Sequence, residues 1–325
     1  MSAARTAVAV LNRDGDRYLE ACFTALAAQE APGGRDLVLV DNGSTDTSSE
    51  RVGAAFPEVR IIRHGRNLGY AAGYNRALEM LDNKYVVLLN NDTRVRPGWL
   101  AALVGAAEAD PDVAAVTAKL VFADRPRVIQ STGTLLLSDG GGGDRGFGEE
   151  DRGQYDVREE VFAFNGASAL LRRAALDDVG GFDDHFFAYY EDTDLSWRMR
   201  LHGWRIIYEP AAVVEHVHAG TSGEWSESFL FHADRNRILM MLKNGSPRFV
   251  SAALRKAGSR AVAGPAGAGK ASRSGRHYGR LLGSLAANLP AVVFNRGRSR
   301  GGMTVADAEI ERWIYPREKW DAGSA

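Results

Sequence analysis

Residues 37–46 read Leu37-Val-Leu-Val40-Asp41-Asn42-Gly43-Ser44-Thr45-Asp46: four apolar residues without polar alternation, then six polar or small ones. A short, unbroken apolar run of this kind suits a strand buried on both faces. The pattern recurs on either side. Ala7-Val-Ala-Val-Leu11 runs into Asn12-Arg13, and Tyr85-Val-Val-Leu-Leu89 runs into Asn90-Asn91-Asp92. Val59 to Ile62 reads as a further strand. Helical spacing fills the intervals over Tyr18 to Ala28, Thr45 to Phe56 and Tyr70 to Leu81. Pro97 to Glu108 reads as a helix with proline at its start, where the missing N–H costs nothing. Strands alternating with helices predict an α/β domain with a mostly parallel sheet covered on both faces.

In such sheets ligands bind at the carboxyl ends of the strands. The residues at those ends are Asn12 and Arg13, then Asp41, then Asn90, Asn91 and Asp92. Their chemistry suits a nucleotide. Asp41 can accept from a base N–H or a ribose hydroxyl, and Asp92 can hold a hard divalent cation on a diphosphate. The plainer alternatives are that Asp41 caps the following helix and that Arg13 is a surface loop charge.

A second cluster lies further on. Phe186-Phe-Ala-Tyr-Tyr190 leads straight into Glu191-Asp192-Thr193-Asp194. Aromatic walls raise the pKa of a nearby carboxylate and favour a general base. Asp192 also reads as the N-cap of a helix running from about Thr193 to His202 and closed by Gly203. Glu215-His216-Val217-His218 ends the apolar stretch Ala211 to Val214. His216 and His218 share one face of an extended segment, and neutral imidazole is a good metal ligand.

Punctuation marks the rest of the chain. Gly140 to Gly143 and the charged stretch Asp144 to Glu160 predict a mobile surface loop. The pattern becomes helical after Glu224, with a break from Gly264 to Gly275. Gly264-Pro-Ala-Gly-Ala-Gly269-Lys270-Ala271 imitates a phosphate-binding loop, but Ala271 replaces the metal-binding hydroxyl and no strand feeds it. A linker is the better reading. After the first strand Asn12-Arg13-Asp14-Gly15 stands where a nicotinamide dehydrogenase carries its glycine fingerprint, which excludes that class.

At 325 residues, 45% hydrophobic and 25% charged, the chain has the composition of a globular protein with room for two domains. A lone cysteine, Cys22, excludes a disulfide framework and a cysteine-rich zinc site. The longest uncharged apolar stretch, Leu281 to Phe294, is too short to span a membrane and contains Pro290. Met1 to Arg13 lacks the apolar core of a signal peptide. The net charge of −1 hides an asymmetry: residues 243–306 hold 12 Lys and Arg and no acid, leaving 28 basic against 41 acidic residues elsewhere. Aromatic residues are scarce in that segment, which argues against nucleic acid. Apolar residues interleave with its arginines, as suits the anionic cytoplasmic leaflet of a membrane.

Taken in order, Asn12-Arg13, Asp41 to Asp46, Asn67-Leu-Gly69-Tyr-Ala-Ala-Gly-Tyr-Asn75, Asn90-Asn91-Asp92, Asn165-Gly-Ala167, Glu191-Asp192 and His216 resemble glycosyltransferase family 2. Within it they are similar to the bacterial rhamnosyltransferase-like branch that builds cell-surface polysaccharides. The resemblance covers about residues 5–222, and weakly Arg235-Asn-Arg237. It implies a GT-A fold over 1–222, with 223–325 as a basic, mainly helical extension. It implies a nucleoside-diphosphate-sugar donor (dTDP-rhamnose or a UDP-sugar), a glycan or lipid-linked acceptor, and Mg²⁺ or Mn²⁺. By the same resemblance Asn12, Arg13, Asp41, Asn67, Gly69, Asn75, Asn90 and Asn91 line the nucleotide-sugar pocket. Asp92 and His216 bind metal, with His218 as the alternative to His216. Asn90 replaces the first acid of the family's D-x-D element, so more charge rests on Asp92. Asp192 of the Glu191-Asp192 pair matches the catalytic base. The expected setting is cytoplasmic, with peripheral contact at the inner face of the plasma membrane through residues 243–306. The competing readings are a non-catalytic nucleotide-sugar or polysaccharide-binding module and a nucleotidyltransferase.

Overall fold

The structure, a computed structural model, describes residues 5–217, 226–263 and 275–323. The apolar runs form β1 (Thr6–Asn12), β2 (Arg35–Asp41), β3 (Arg60–Arg63) and β4 (Tyr85–Asn90). They alternate with α1 (Asp16–Ala27), α2 (Ser48–Ala55) and α3 (Gly69–Leu78). Next come β5 (Thr93–Val95), α4 (Trp99–Glu108), β6 (Val113–Phe122), β7 (Ile129–Ser131), β8 (Thr134–Leu137), β9 (Gly142–Asp144) and β10 (Glu159–Glu160). β11 (Ser168–Arg172), α5 (Arg173–Val179), α6 (Glu191–Leu201) and β12 (Arg205–His216) complete the main sheet and its cover. The chain ends in α7 (Glu227–Asn244), α8 (Pro247–Ala263), α9 (Gly275–Gly301), α10 (Asp307–Glu311), β13 (Ile314–Tyr315) and α11 (Arg317–Gly323).

The main sheet runs β10-β12-β6-β11-β4-β1-β2-β3, with β5 and β7 paired at its side to β12 and β6. β1, β2, β3 and β4 are mutually parallel, β12 is parallel to β6, and β11 lies antiparallel between β4 and β6. Successive side chains of a strand point to opposite faces, and here both faces are buried. Val8, Val10, Leu37, Leu39, Val87 and Leu89 enter one core with α1 and α4. Ala7, Ala9, Val38, Val40, Val86 and Leu88 enter the other with α3, α5 and α6. That division explains why the strands carry no polar alternation.

Several expectations need correction. α4 starts at Trp99, with Gly98 in the left-handed region as its N-cap, so Pro97 precedes the helix. α6 starts at Glu191 with Tyr190 as its N-cap, which places Asp192 within the first turn and not at the cap. Gly203, at φ +90°, ends that helix region as expected. The glycine-rich and charged stretch 140–160 is tied down. β9 pairs with β8, and β10 pairs with β12. The buried Lys119 Nζ reaches Asp151 at 3.0 Å and Asp156 at 2.5 Å. Its charges are partners for each other and for the sheet, which composition alone does not show.

Packing crosses residue 222. A third core joins Leu136, Phe162, Phe186 and Trp197 of the first part to Leu239, Met240, Phe249, Val292 and Ile310 of the second. β13 pairs with β8 in a three-stranded sheet, β13-β8-β9. The near-match to a phosphate loop (264–271) and His218 lie outside the described residues.

Candidate functional site

The parallel register sets the edge of the site. Asn12 lies beside Asp41, and Leu11 beside Asn90. Asn12 is fully buried and both ends of its amide are used. Its Nδ2 donates to Ser48 Oγ at 2.9 Å and Ser44 Oγ at 3.2 Å, while its Oδ1 accepts from Asn91 Nδ2 at 2.7 Å. Asp41 Oδ1 accepts from Ser44 N–H at 2.9 Å, closing the turn after β2 without capping α2, whose N-cap is Thr47. Asn42 and Asn67 hold the neighbouring loop together. Asn42 Nδ2 donates to Asn67 Oδ1 at 3.1 Å and to Gly69 O at 2.9 Å, and Asn67 Oδ1 accepts from Gly69 N–H.

The cation-facing part of the site depends on β5. It pairs antiparallel with the end of β12, His216 opposite Thr93, and Val217 N–H donates to Asp92 O at 3.0 Å. His216 is thereby brought against the turn that follows β4. Its Nδ1 lies 3.0 Å from Gln130 Oε1, an acceptor, so the proton belongs on Nδ1 and the Nε2 lone pair is left facing inward. Nε2 stands 3.2 Å from Asp92 Oδ1, a buried atom with no hydrogen-bond partner among the described residues, and 3.4 Å from Asn90 Nδ2. Two acceptors facing each other in a buried setting fit a hard divalent cation. Among the described residues no group of three or more His, Cys, Asp and Glu converges. A cation held by that pair would keep its other positions for water and a diphosphate, as Mg²⁺-type sites do. Glu215 does not take part: its carboxylate is held by Arg94 and Arg96.

Across the cleft, α6 presents its first turn. Asp192 Oδ2 accepts from Gly166 N–H at 2.9 Å, and Oδ1 accepts from Thr193 N–H at 2.6 Å. Burial raises its pKa above the usual carboxylate value, offset in part by those N–H groups and assisted by the nearby Asp144. Glu191 is buried, its Oε2 lacks a partner among the described residues, and burial together with Asp192 pushes its pKa well up. Both carboxyl groups line the cleft, and Glu191 resists ionisation more strongly than Asp192, whose carboxylate is held by two N–H groups.

The aromatic segment before α6 is strained. Phe187, Tyr189 and Tyr190 all have positive φ, 61–70°, which non-glycine residues rarely adopt. α7 holds them there. The buried Asn236 donates through Nδ2 to the carbonyls of Phe186 (2.8 Å), Ala188 (2.8 Å) and Tyr189 (2.7 Å). Arg235 adds bonds to His185 O and Phe186 O. Phe187 stacks on His232 and Tyr189 meets Phe229 edge-on, both from the same helix. Gly69 completes the fit: a Cβ there would lie 2.5 Å from Phe187 O, and its φ is +81°.

These elements enclose a cleft of about 710 Å³. Asn12, Arg13, Asn67, Gly69, Asn90, Asn91, Asp92, Glu191, Asp192 and His216 all line it. Two expected residues do not. Asp41 lies behind the lining, and Asn75 ties α3 to Phe182 and Asp184 on another face. Gln130, Asp144, Tyr190 and Trp320 line the cleft as well, although the sequence pattern does not single out the first, second or last of them for it. Trp320 Nε1 donates to Asp144 O at 3.2 Å, bringing α11 back to the site across the whole chain.

The sequence profile of Glycosyl transferase family 2 matches residues 7–180. The chain belongs to that family. Among curated relatives, the N-acetylglucosaminyl-diphospho-decaprenol L-rhamnosyltransferase of Mycobacterium tuberculosis is 29% identical over 257 residues, covering 67% of this chain and 81% of the relative. The pre-mycofactocin glycosyltransferase of the same organism is 30% identical over 198 residues, 59% of this chain and 39% of the relative. Among solved structures, GalNAc-T7 with UDP, GalNAc and Mn²⁺ aligns with a TM-score of 0.63 at 13% identity, over 89% of this chain and 57% of that one. Staphylococcus aureus TarS residues 1–349 align with a TM-score of 0.56 at 13% identity, over 95% and 90% of the two chains. These likenesses show the GT-A fold. The family-2 glycosyltransferase accordingly shares its profile with rhamnosyltransferase-like relatives.

Proposed function

We propose that this glycosyltransferase transfers a sugar, with inversion, from a nucleoside-diphosphate-sugar to a hydroxyl of a glycan or lipid-linked acceptor in cell-surface polysaccharide synthesis. The observation that carries the reading is one cleft with two unlike ends: Asp92 and His216 at one side, and the carboxylate of Asp192, oriented by the N–H groups of Gly166 and Thr193, on the other. Asp192 accepts the proton of the acceptor hydroxyl as that oxygen forms its bond to the anomeric carbon. The bond from that carbon to the diphosphate oxygen breaks in the same step, and nucleoside diphosphate leaves. The N–H groups of Gly166 and Thr193 fix the carboxylate's orientation through the step. Asp92 Oδ1 and His216 Nε2 are the atoms that would hold Mg²⁺ or Mn²⁺, which would supply neutralisation of charge on the leaving diphosphate. Gln130 keeps His216 in the tautomer that ligation needs.

Support for the donor class comes from the UDP bound in the GalNAc-T7 structure. Support for a lipid-linked acceptor comes from the decaprenol-linked substrate in the name of the mycobacterial relative. dTDP-rhamnose or a UDP-sugar is the proposed donor. A lipid-linked acceptor requires peripheral contact with the inner face of the plasma membrane, and the basic residues of 243–306 supply the charge. Among the described residues no helix is long and apolar enough to cross a membrane. The test is a panel of nucleotide-sugars, with and without Mn²⁺, read by thermal shift and by product. Mn²⁺-dependent binding with nucleoside diphosphate released on transfer is expected. Pyrophosphate as the product marks a nucleotidyltransferase and overturns the reading, and so does binding without turnover to any acceptor.

A further inference from the structure

The charge of residues 243–306 is not one surface. Lys243 is buried against Asp183 and Asp194, both at 2.8 Å. Arg296 is spent on the carbonyls of Leu242, Lys243 and Gly245, and Arg300 on Asp307. Among the described residues, the basic side chains that face outward are Arg248 and Arg255 on α8 and Arg276, Arg280 and Arg298 on α9.

The inner face of α9 is fixed by packing. Leu281, Val292 and Ser299 are buried, Asn295 reaches Asp183 at 3.0 Å, and Ser299 donates to Asn244 at 2.7 Å. A neighbouring face, about 100° round the helix from the inner one, carries Leu282, Leu289 and Val293, 67%, 52% and 63% exposed. At 3.6 residues per turn these three, with Ala286, fall in one narrow stripe about 16 Å long. Phe294, 67% exposed, lies on the other flank of the same exposed arc, where Arg276, Arg280 and Arg298 are also exposed. α9 contains no acidic residue. Single exposed apolar residues need no explanation, but an aligned set with guanidinium groups on the other flank of the same exposed arc does.

We infer that this outer face of α9 is the membrane-seating surface of the protein: it lies in the plane of an anionic leaflet, apolar side chains in the acyl boundary and arginines on lipid phosphates. A protein partner's groove would have to accept a stripe that offers no hydrogen bond beside a row of like charges, whereas a phospholipid surface matches both at once. The position also serves the cleft. α9 packs along α7, with His277 Nε2 3.1 Å from Asp234 and Arg280 over the Phe231 ring at 4.8 Å. α7 is the helix that holds the aromatic wall before Asp192. The seated helix and the acceptor side of the cleft are therefore one packed unit. The inference rests on the proposed lipid-linked acceptor for its purpose, though not for its geometry.

The test is co-sedimentation of the full chain with phosphatidylcholine vesicles, with and without phosphatidylglycerol, at about 0.1 M salt. Sugar transfer to a water-soluble acceptor analogue is assayed in parallel. The wild type is expected to bind the anionic vesicles only. Leu289→Glu and Val293→Glu should each weaken that binding about tenfold, and Arg276→Gln and Arg298→Gln about fivefold each. All four should leave the melting temperature and soluble transfer unchanged. Equal binding by the Glu variants, no binding by the wild type, or a lipid-free dimer dissolved by the same substitutions would overturn the inference. Transfer without vesicle binding defeats the surface alone; vesicle binding without transfer to any acceptor defeats the functional reading alone.

Discussion

Asn236→Ala is the most informative single change outside the reacting groups. Three carbonyls, of Phe186, Ala188 and Tyr189, accept from its Nδ2, and Phe186 O also accepts from Arg235 at 3.1 Å and from Ala188 N–H at 2.7 Å. Deleting the amide therefore takes one donor from each of the three carbonyls. A buried acceptor left unsatisfied costs about 1–3 kcal/mol, so the native state should lose about 1–3 kcal/mol after some relaxation. The segment it restrains holds three non-glycine residues at positive φ, each a strain of about 1–3 kcal/mol that persists only while its surroundings impose it. Once released, Phe187, Tyr189 and Tyr190 leave these backbone positions and the acceptor side of the cleft loses its shape. The donor side, built from β1, β4 and the end of β12, is untouched. Urea unfolding should show the stability loss, and steady-state transfer should show a higher acceptor KM and a lower kcat. Thermal shift by nucleoside diphosphate with Mn²⁺ should keep the wild-type affinity. Asn236→Asp has the same shape without the N–H donors and should be at least as damaging. Wild-type behaviour of Asn236→Asp, or a parallel loss of donor affinity in Asn236→Ala, would refute the reasoning.

Three further outcomes follow from the geometry. Gly69→Ala places a Cβ 2.5 Å from Phe187 O at a φ of +81° and should cost more than about 1 kcal/mol in urea unfolding, with transfer falling as the aromatic segment is displaced. Glu191 binds its proton more tightly folded than unfolded, so as pH rises above its ordinary value near 4.5 the folded state loses stability relative to the unfolded one, by at most about 1.4 kcal/mol per pH unit. Glu191→Gln should melt higher than wild type at pH 7–8, with the gap closing toward pH 4; an unchanged gap at all pH values would count against a raised Glu191 pKa. Asp92→Asn should weaken the Mn²⁺ dependence of nucleotide-sugar binding, and an unaltered Mn²⁺ titration would remove Asp92 from the cation site.

The sheet was legible because β1, β2 and β4 are buried on both faces, so each reads as an unbroken apolar run ending in polar residues. Strand-end logic then located Asn12, Arg13, Asn90, Asn91 and Asp92 at the cleft. It did not distinguish residues that face the cleft from those that build it: the Asn12 amide is consumed by Ser44, Ser48 and Asn91, and Asn75 is turned to another face. Distance along the chain hid the rest. Lys119 pairs with Asp151 and Asp156, Trp320 caps Asp144, and Asn236 grips a segment about 50 residues away. No local pattern announces such contacts. Glycines in 140–143 looked like a mobile loop for the same reason: at Gly143 a Cβ would come within 2.8 Å of Trp320 Nε1, so the small residue marks a close approach and not freedom.

The most direct measurement is sugar transfer by Asp192→Asn beside its donor affinity. A positioned base contributes about 10²–10⁴-fold, and the amide keeps the shape while losing the ability to take a proton. Transfer should fall by that factor, with Mn²⁺-dependent nucleotide-sugar binding within twofold of wild type. Transfer at the wild-type rate would contradict the assignment of the base.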